Sequence, residues 1–402
     1  MNPLYRIYCR VYQKILYIAS AFLSFREPTL LVGLNSNQRI LSILQENGLK
    51  RMLLATDAFL ATSEPFIRIR QQLETSGIQV TLFSDTLPNP SIQQIETVCS
   101  MYRKHDCQGL IAYGGGSVID LAKVVAAASS NPSTPIRKMR GLLKIRHKLP
   151  LLIAIPTTAG TGSEATVAAV VTDEDTKEKY AINDPKLIPK VAILDPINVQ
   201  GMPFNLAATT GLDALTHAIE AYIGSANTPK TKRMAVSAIK TIFTVLVDSC
   251  QRPDQIDLRS QMQLAAYQAG VAFTRAYVGN IHALAHQLGG FYHFPHGLAN
   301  AILLPVVLRY YGKSVHKKLA GLNSILYPEH TKLSLFEQAE HFISAIQTLN
   351  NQLKIPEKVL DRIQKADIPI MASRAFCEAN PLYPVPKLFT TGDFMAIYRE
   401  IM

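Results

Sequence analysis

Four side chains near the middle of the chain, Asp213, His217, His282 and His296, have the types and spacing of a metal site. Asp213 and His217 stand four residues apart in Gly211–Glu220, which puts carboxylate and imidazole one turn apart on the same helix face. His282 and His296 bracket a second stretch that closes on Gly297. Three imidazoles and a carboxylate suit a divalent transition ion such as Fe²⁺ or Zn²⁺, and a coordination position left open would make that ion catalytic. A lone histidine is more often a core residue than a ligand; two pairs at helical and loop spacing point to an ion instead. His286 lies one helical turn from His282 on the same face, with a side chain suited to moving a proton near neutral pH. His293, three residues before His296, could support or replace a ligand, but reads first as solvent-exposed.

These residues need elements to hold them. From Thr29 to about Asp195, short apolar runs alternate with helical patterns: Leu30–Val32, Arg51–Ala55, Val80–Phe83, Gly109–Tyr113, Leu151–Ile155 and Val191–Leu194 read as buried strands. Asn37–Asn47 and Glu64–Thr75 read as helices between them, so the alternation predicts a parallel sheet covered on both faces. Past Pro203 the pattern is helical, at Met234–Val247, Gln255–Arg275, Thr331–Leu349 and Pro356–Lys365. The fold class is therefore α/β plus all-α, with a boundary near residues 196–205.

Two glycine-bearing loops follow predicted strands. Gly114, Gly115 and Gly116 precede Ser117 and open a helix carrying Asp120; glycines let backbone approach a ligand, and a helix N-terminus offers N–H groups to phosphate. The second loop, Ile155–Glu164, sets the hydroxyls of Thr157, Thr158, Thr161 and Ser163 around Gly160 and Gly162, a polar cradle for phosphate, ribose or nicotinamide amide. Two such loops at the carboxyl ends of strands in one sheet mark a dinucleotide crevice. The G-x-G-x-x-G fingerprint is absent, so this is not the standard first turn. Asp57, at the end of Leu53–Asp57, stands where a carboxylate could accept from ribose hydroxyls and repel a 2′-phosphate, favouring NAD over NADP; a turn or helix-cap role is its plain alternative.

Composition bounds the rest. At 402 residues, 48% hydrophobic and 18% charged, the chain is globular and long enough for two domains. Its five cysteines, an odd number without regular spacing, argue against a disulfide framework and for a reducing, cytoplasmic setting. Much of the net charge of +11 is local. Arg137, Lys138, Arg140, Lys144, Arg146 and Lys148 lie in an acid-free stretch without the interleaved aromatics of a nucleic-acid platform, so no nucleic-acid partner is expected. Residues 1–28 form a basic amphipathic extension: Arg6, Arg10 and Lys14 recur every four residues among Tyr5, Tyr8, Tyr12 and Ile15, a pattern that packing, oligomer contact, peripheral membrane contact or targeting would each explain. The apolar run Ile15–Phe25 is too short to span a bilayer, and no other stretch reads as a span.

The blocks Gly114–Lys123, Pro156–Glu164, Asp213–His217, His282–His286 and Pro295–Gly297, in that order, resemble the iron-containing (group III) alcohol dehydrogenases, with a dehydroquinate-synthase-like fold. The likeness runs from about Thr29 to the end, leaving residues 1–28 without a counterpart. It implies a Rossmann-like NAD-binding domain over 29–200, a helical metal-binding domain over 201–402, and an active site in the cleft between them. It implies Asp213, His217, His282 and His296 as ligands of Fe²⁺ or Zn²⁺, and Asp57, Gly115, Gly116, Ser117, Thr157, Thr158 and Thr161 against NAD. Gly114, Asp120 and Ser163 fall within the same blocks. Lys179 is a further candidate at the nicotinamide ribose, and His286 matches a non-ligand histidine near the nicotinamide. The expected substrate is a small alcohol or aldehyde, the expected assembly a homodimer. Arg275, where the family commonly has Asn, and Tyr277, where a small residue is usual, depart from the pattern and bear on the substrate pocket. Two rival functions are a metal- and NAD-dependent lyase of the dehydroquinate synthase type and a non-catalytic, membrane-associated relative.

Overall fold

The computed structural model describes every residue except 21, 24, 177, 360 and 361. It divides into two compact units: Ser24–Met202 with Pro253–Tyr267, and Met1–Leu23 with Pro203–Arg252 and Gln268–Met402.

Among its described residues the first unit contains nine strands: β1 (Thr29–Val32), β2 (Arg51–Ala55), β3 (Gln79–Phe83), β4 (Gly109–Gly114), β5 (Gly141–Leu142), β6 (Leu151–Pro156), β7 (Ala168–Asp173), β8 (Glu178–Asn183) and β9 (Val191–Leu194). Six form a sheet in the order β1-β9-β6-β4-β2-β3, and every pair is parallel. The period-2 geometry of a strand sorts its side chains between two cores. Leu53, Ala55, Leu110 and Ala112 pack with Val118, Leu121 and Val125 of helix Gly116–Ser130, whereas Met52, Leu54, Ile111 and Tyr113 pack with Ile40, Leu44 and Phe66 on the other face. β4 is buried along its whole length, as its unbroken run Gly-Leu-Ile-Ala-Tyr-Gly requires.

A second sheet, β5-β8-β7, was not anticipated. β7 and β8 form an antiparallel hairpin in which Asp173 faces Glu178. Its acids meet the basic stretch before β6: Arg137 forks onto Asp173 at 2.7 and 3.0 Å and reaches Asp175, and Arg140 meets Glu178 at 2.7 Å. Part of the apparent positive patch is therefore internally neutralised.

In the second unit, helices Phe204–Ile223, Asn280–Tyr292 and His296–Tyr311 pack against one another, and Pro229–Gln251 lies along the first. Pro229–Gln251 is long and apolar enough to cross a membrane by composition, contrary to expectation. In the structure its apolar side is a protein contact: Leu246 closes on Gly211, where a Cβ would come 2.3 Å from its Cδ1, and Phe243 packs on Phe342 at 5.6 Å. The helix expected over Pro356–Lys365 is absent among its described residues. Lys354 takes a left-handed φ of 58°, and Val359 donates to the Ile401 carbonyl at 2.8 Å, tying this irregular segment to the C-terminus. Residues Met1–Leu23 belong to this helical unit, through helix Pro3–Ser20.

Candidate metal centre and cofactor loops

Helix Phe204–Ile223 is buried from Gly211 onward, and its inward face carries Asp213, His217 and Glu220. Asp213, His217 and His282 offer ligand atoms that all lie within 4.8 Å of one another. Asp213 is the hub: its Oδ1 lies 3.8 Å from His282 Nε2 and 3.5 Å from His296 Nε2, and its Oδ2 lies 4.0 Å from His217 Nδ1. Bonds of 2.0–2.2 Å to a tetrahedral ion would set neighbouring ligand atoms roughly 3.4 Å apart, so these separations are close to what a divalent ion demands. The four ligand candidates come from three helices and are brought together; His296, which opens helix His296–Tyr311, is the most exposed of them.

Asn300 supplies an independent mark of where their lone pairs converge. Its Nδ2 donates to Asp213 Oδ1 at 2.6 Å and lies 3.2 Å from both His282 Nε2 and His296 Nε2, so one buried donor sits among ligand atoms of three residues, with both imidazoles accepting in the tautomer that leaves Nε2 unprotonated. Such a convergence of lone pairs is the arrangement a cation uses, and the donor set fits Fe²⁺ or Zn²⁺.

Around these side chains a further layer fixes their orientation. Glu220 Oε2 accepts from His282 Nδ1 at 2.6 Å and from Gly279 N at 2.8 Å, and its Oε1 accepts from Ile281 N at 2.8 Å. The carboxylate sets the tautomer with the proton on Nδ1 and leaves Nε2 as the lone-pair donor. Burial alone would lower the His282 pKa, but the carboxylates of Asp213 and Glu220 outweigh it and push it up to about 9, so an ion taken up at Nε2 displaces a proton from the metal-free ring. Burial would raise Asp213, but His217, His296 and His282 together hold it well below the usual carboxylate range. His217 stacks on Phe273, centroids 4.1 Å apart, which fixes its ring plane. Gly297 lets helix His296–Tyr311 approach the first helix: a Cβ there would fall 2.3 Å from the Thr209 carbonyl oxygen.

His286 stands beside the cluster, its ring stacked 5.2 Å from that of His296, and Glu378 accepts from its Nδ1 at 2.6 Å. Glu378 also accepts from the Tyr383 hydroxyl at 2.9 Å and from Gln287 Nε2 at 3.1 Å. His293 is exposed, as expected, and caps its helix in a left-handed conformation with φ 51°. Tyr277 also has positive φ, 65°, directly after the helix that carries Phe273, and burial raises its hydroxyl pKa.

Glu220, Asn300 and Glu378 were not anticipated. Glu220 falls on the face of Asp213 and His217, and Asn300 stands one turn after His296, so helical spacing could have found both. Nothing local marks Glu378, 92 residues from His286.

In the sheet unit, β4 and β6 are neighbours with Gly114 opposite Pro156, so the two loops that follow them emerge side by side. Thr157 N donates to the Gly114 carbonyl at 3.1 Å. A Cβ on Gly115 would lie 3.3 Å from Thr158 Cγ2, and one on Gly116 2.9 Å from Thr161 Cγ2. A Cβ on Gly114 would meet Val118 at 2.4 Å, so these glycines also serve loop-on-loop and loop-on-helix packing. Helix Gly116–Ser130 starts from Gly115, which brings no capping side chain, and the Thr158 hydroxyl is buried with no hydrogen-bond partner among the described residues. An uncapped helix N-terminus beside an orphaned hydroxyl fits an anionic, hydrogen-bonding ligand such as a dinucleotide.

The remaining loop residues take different positions. Asp120 and Ser163 bind each other at 2.6 Å; the second oxygen of Asp120 accepts from Val170 N at 2.9 Å, and buried Lys123 donates to Ser163 Oγ at 3.0 Å. Their polar atoms are engaged in holding the second loop. Burial pushes Lys123 down to about 8 against the pull of Asp120 and Glu164, and pushes buried Glu164 up to about 7. Asp57 accepts from Leu60 N at 2.9 Å, the turn role foreseen as its alternative. Ser117 Oγ accepts from Asn89 N at 3.2 Å, and exposed Lys179 donates to Asn89 Oδ1 at 2.5 Å, so Asn89 links the two.

The sequence pattern of iron-containing alcohol dehydrogenases fits residues 28–196, and that of the Fe-containing alcohol dehydrogenase family, C-terminal, fits 207–402. The chain is 35% identical to 1,3-propanediol dehydrogenase of Klebsiella pneumoniae over 88% of its length and 92% of that protein's. It is 32% identical to the NAD-dependent methanol dehydrogenase of Bacillus methanolicus over 94% of its length and 99% of that protein's. A crystal structure of 1,3-propanediol oxidoreductase superposes with a TM-score of 0.90 at 33% identity, over 94% of this chain and all (100%) of that one. With its Asp/His cluster, its paired loops and these likenesses over nearly its full length, the chain belongs to the iron-containing alcohol dehydrogenase family.

Proposed function

We propose that this enzyme interconverts a small primary alcohol and its aldehyde with NAD as hydride carrier and a divalent ion, iron first and zinc next, held by Asp213, His217, His282 and His296. The observation that carries this is the convergence of three buried ligand atoms within 4.8 Å, with His296 alongside, in a chain whose relatives are named for alcohol and aldehyde oxidoreduction. When bound, the ion supplies Lewis-acid polarisation of the alcohol oxygen, and the nicotinamide accepts hydride.

The chain's own residues do the rest. Glu220 holds His282 in the tautomer that presents Nε2, and Phe273 holds the plane of His217. Glu378 takes the Nδ1 proton of His286 as a hydrogen bond, which leaves Nε2 as the base that receives the alcohol's proton. The His286 side chain is partly solvent-exposed, so the proton can pass on to water. On the sheet unit, the N-terminus of helix Gly116–Ser130 and the hydroxyls of Thr157, Thr158 and Thr161 are the donors offered to the cofactor, with Ser117 and Lys179 joined through Asn89. Asp120, Lys123 and Ser163 keep the second loop in place.

The lyase alternative is not favoured, because the relatives carry alcohol dehydrogenase and aldehyde reductase names. Five free cysteines, four of them buried, support a reducing compartment. The test is a panel of short alcohols and diols with NAD⁺ or NADP⁺, followed by nicotinamide absorbance. NAD-linked oxidation of a primary alcohol is the expected result; no nicotinamide-linked turnover on any member of the panel, with metal loaded, would refute it.

A further inference from the structure

Helix Pro3–Ser20 is amphipathic, yet its larger apolar face is turned to solvent. Leu4, Ile7, Val11, Ile15 and Ile18 recur at helical spacing on that face, with Leu4 74% and Ile7 60% exposed, and Phe22 just beyond the helix is 86% exposed. The opposite face is fastened down. Cys9 is fully buried against Val385 and Leu388, and Gln13 Nε2 donates to the carbonyls of Tyr383 at 2.7 Å and Pro381 at 3.1 Å. Arg10 donates to the carbonyls of Val385 at 2.8 Å and Pro386 at 3.1 Å. Tyr5 stacks on Phe376 at 5.9 Å. So anchored, the helix cannot roll to hide its apolar side. A contiguous face of this size, flanked by polar residues, marks an interaction surface.

The charges decide what that surface meets. The helix carries Arg6, Arg10 and Lys14 and no acidic residue, within a chain of net charge +11. Two copies brought together through this face would set like charges against each other with no acid on either helix to offset them. An anionic lipid surface offers the complement: phosphate and carboxylate headgroups for Arg6 and Lys14, acyl chains for the leucine, valine and isoleucines, and an interfacial layer for Tyr8 and Tyr17. We propose that the outward face of helix Pro3–Ser20 docks this dehydrogenase peripherally on anionic membranes, with the helix lying in the plane of the surface and the inner face still held by the loop Pro381–Leu388.

The test uses the full-length protein and sedimentation with vesicles of phosphatidylcholine alone or mixed with phosphatidylserine. Binding to the mixed vesicles, weakened by salt, is expected. The variant R6E/K14E should bind them at least ~20-fold more weakly, since each basic residue near the surface contributes about fivefold and both charges are reversed. The variant I7S/I15S should lose binding by at least roughly tenfold, through lost apolar insertion. All these positions are exposed and outside the catalytic machinery, so turnover on soluble alcohol should match the unsubstituted protein and report that the fold is intact. Absence of vesicle binding, or binding retained by both variants, overturns the proposal. So does a lipid-independent dimer in sedimentation velocity that I7S/I15S dissolves, since that would name a second copy as the occupant.

Discussion

Glu220→Gln tests whether the buried carboxylate sets up the metal ligand behind it. In the native arrangement three N–H groups converge on Glu220: His282 Nδ1 at 2.6 Å, Gly279 N at 2.8 Å and Ile281 N at 2.8 Å. A carboxamide has one acceptor oxygen and one NH₂. If the oxygen faces Gly279 and His282, the NH₂ confronts the Ile281 N–H, donor against donor, and an orphaned buried donor costs about 1–3 kcal/mol. If the amide turns over, the NH₂ faces Gly279 and His282, and His282 can respond by moving its proton from Nδ1 to Nε2, which removes the lone pair needed for metal. Either way the metal-free protein loses about 1–3 kcal/mol of stability. Metal affinity falls by roughly 10–100-fold, as for other residues that orient a ligating imidazole. Competition against a chelator of known affinity gives the dissociation constant, and thermal melts of the metal-free protein give the stability. An unchanged melt with metal affinity within about twofold of native would refute the reasoning; a lowered melt with native affinity would reduce Glu220 to a structural brace.

Gly297→Ala should strip metal binding and destabilise the helical unit by roughly 1–3 kcal/mol or more, because its Cβ would lie 2.3 Å from the Thr209 backbone oxygen and push His296 off the helix bearing Asp213; metal content and melting temperature check it. His217→Ala and His282→Ala should lose metal and activity together, whereas His286→Ala should keep metal and turn over about 100-fold more slowly, with Glu378→Gln slowing in the same direction. Glu164 holds its proton more tightly when folded, with a pKa of about 7 against the usual 4.5, so its contribution to stability is greatest at low pH and falls as pH rises through that window. Glu164→Gln should therefore flatten the melting temperature between pH 5 and 7; parallel curves for the two proteins would contradict it.

The inner sheet strands were legible because strands buried on both faces must be continuous apolar runs, and β2 and β9 fell where Arg51–Ala55 and Val191–Leu194 were read, whereas the edge strands β1 and β3, also read as buried, are largely half-buried or exposed. The hairpin of β7 and β8 was not, since its residues alternate between buried and more exposed positions and its charges Asp173 and Glu178 find their partners, Arg137 and Arg140, far away in sequence. Within the metal cluster, helical spacing exposed Asp213 and His217 and equally encoded Glu220. Glu378 is a tertiary partner that no spacing announces. The glycines of the first loop were read as room for a ligand; their environment shows that Val118 and Thr161 also claim that room. The basic stripe of residues 1–28 was visible, but which face would be outward depended on Gln13 and Cys9 finding partners near residue 383.

The most direct measurement is a metal titration of anaerobically purified, chelator-stripped protein, with Fe²⁺ or Zn²⁺ content and NADH production from a primary alcohol recorded at each addition. A metal centre built on Asp213, His217, His282 and His296 predicts no turnover in the stripped protein and activity that rises linearly and breaks at one ion per chain. Full turnover in metal-free protein would contradict it.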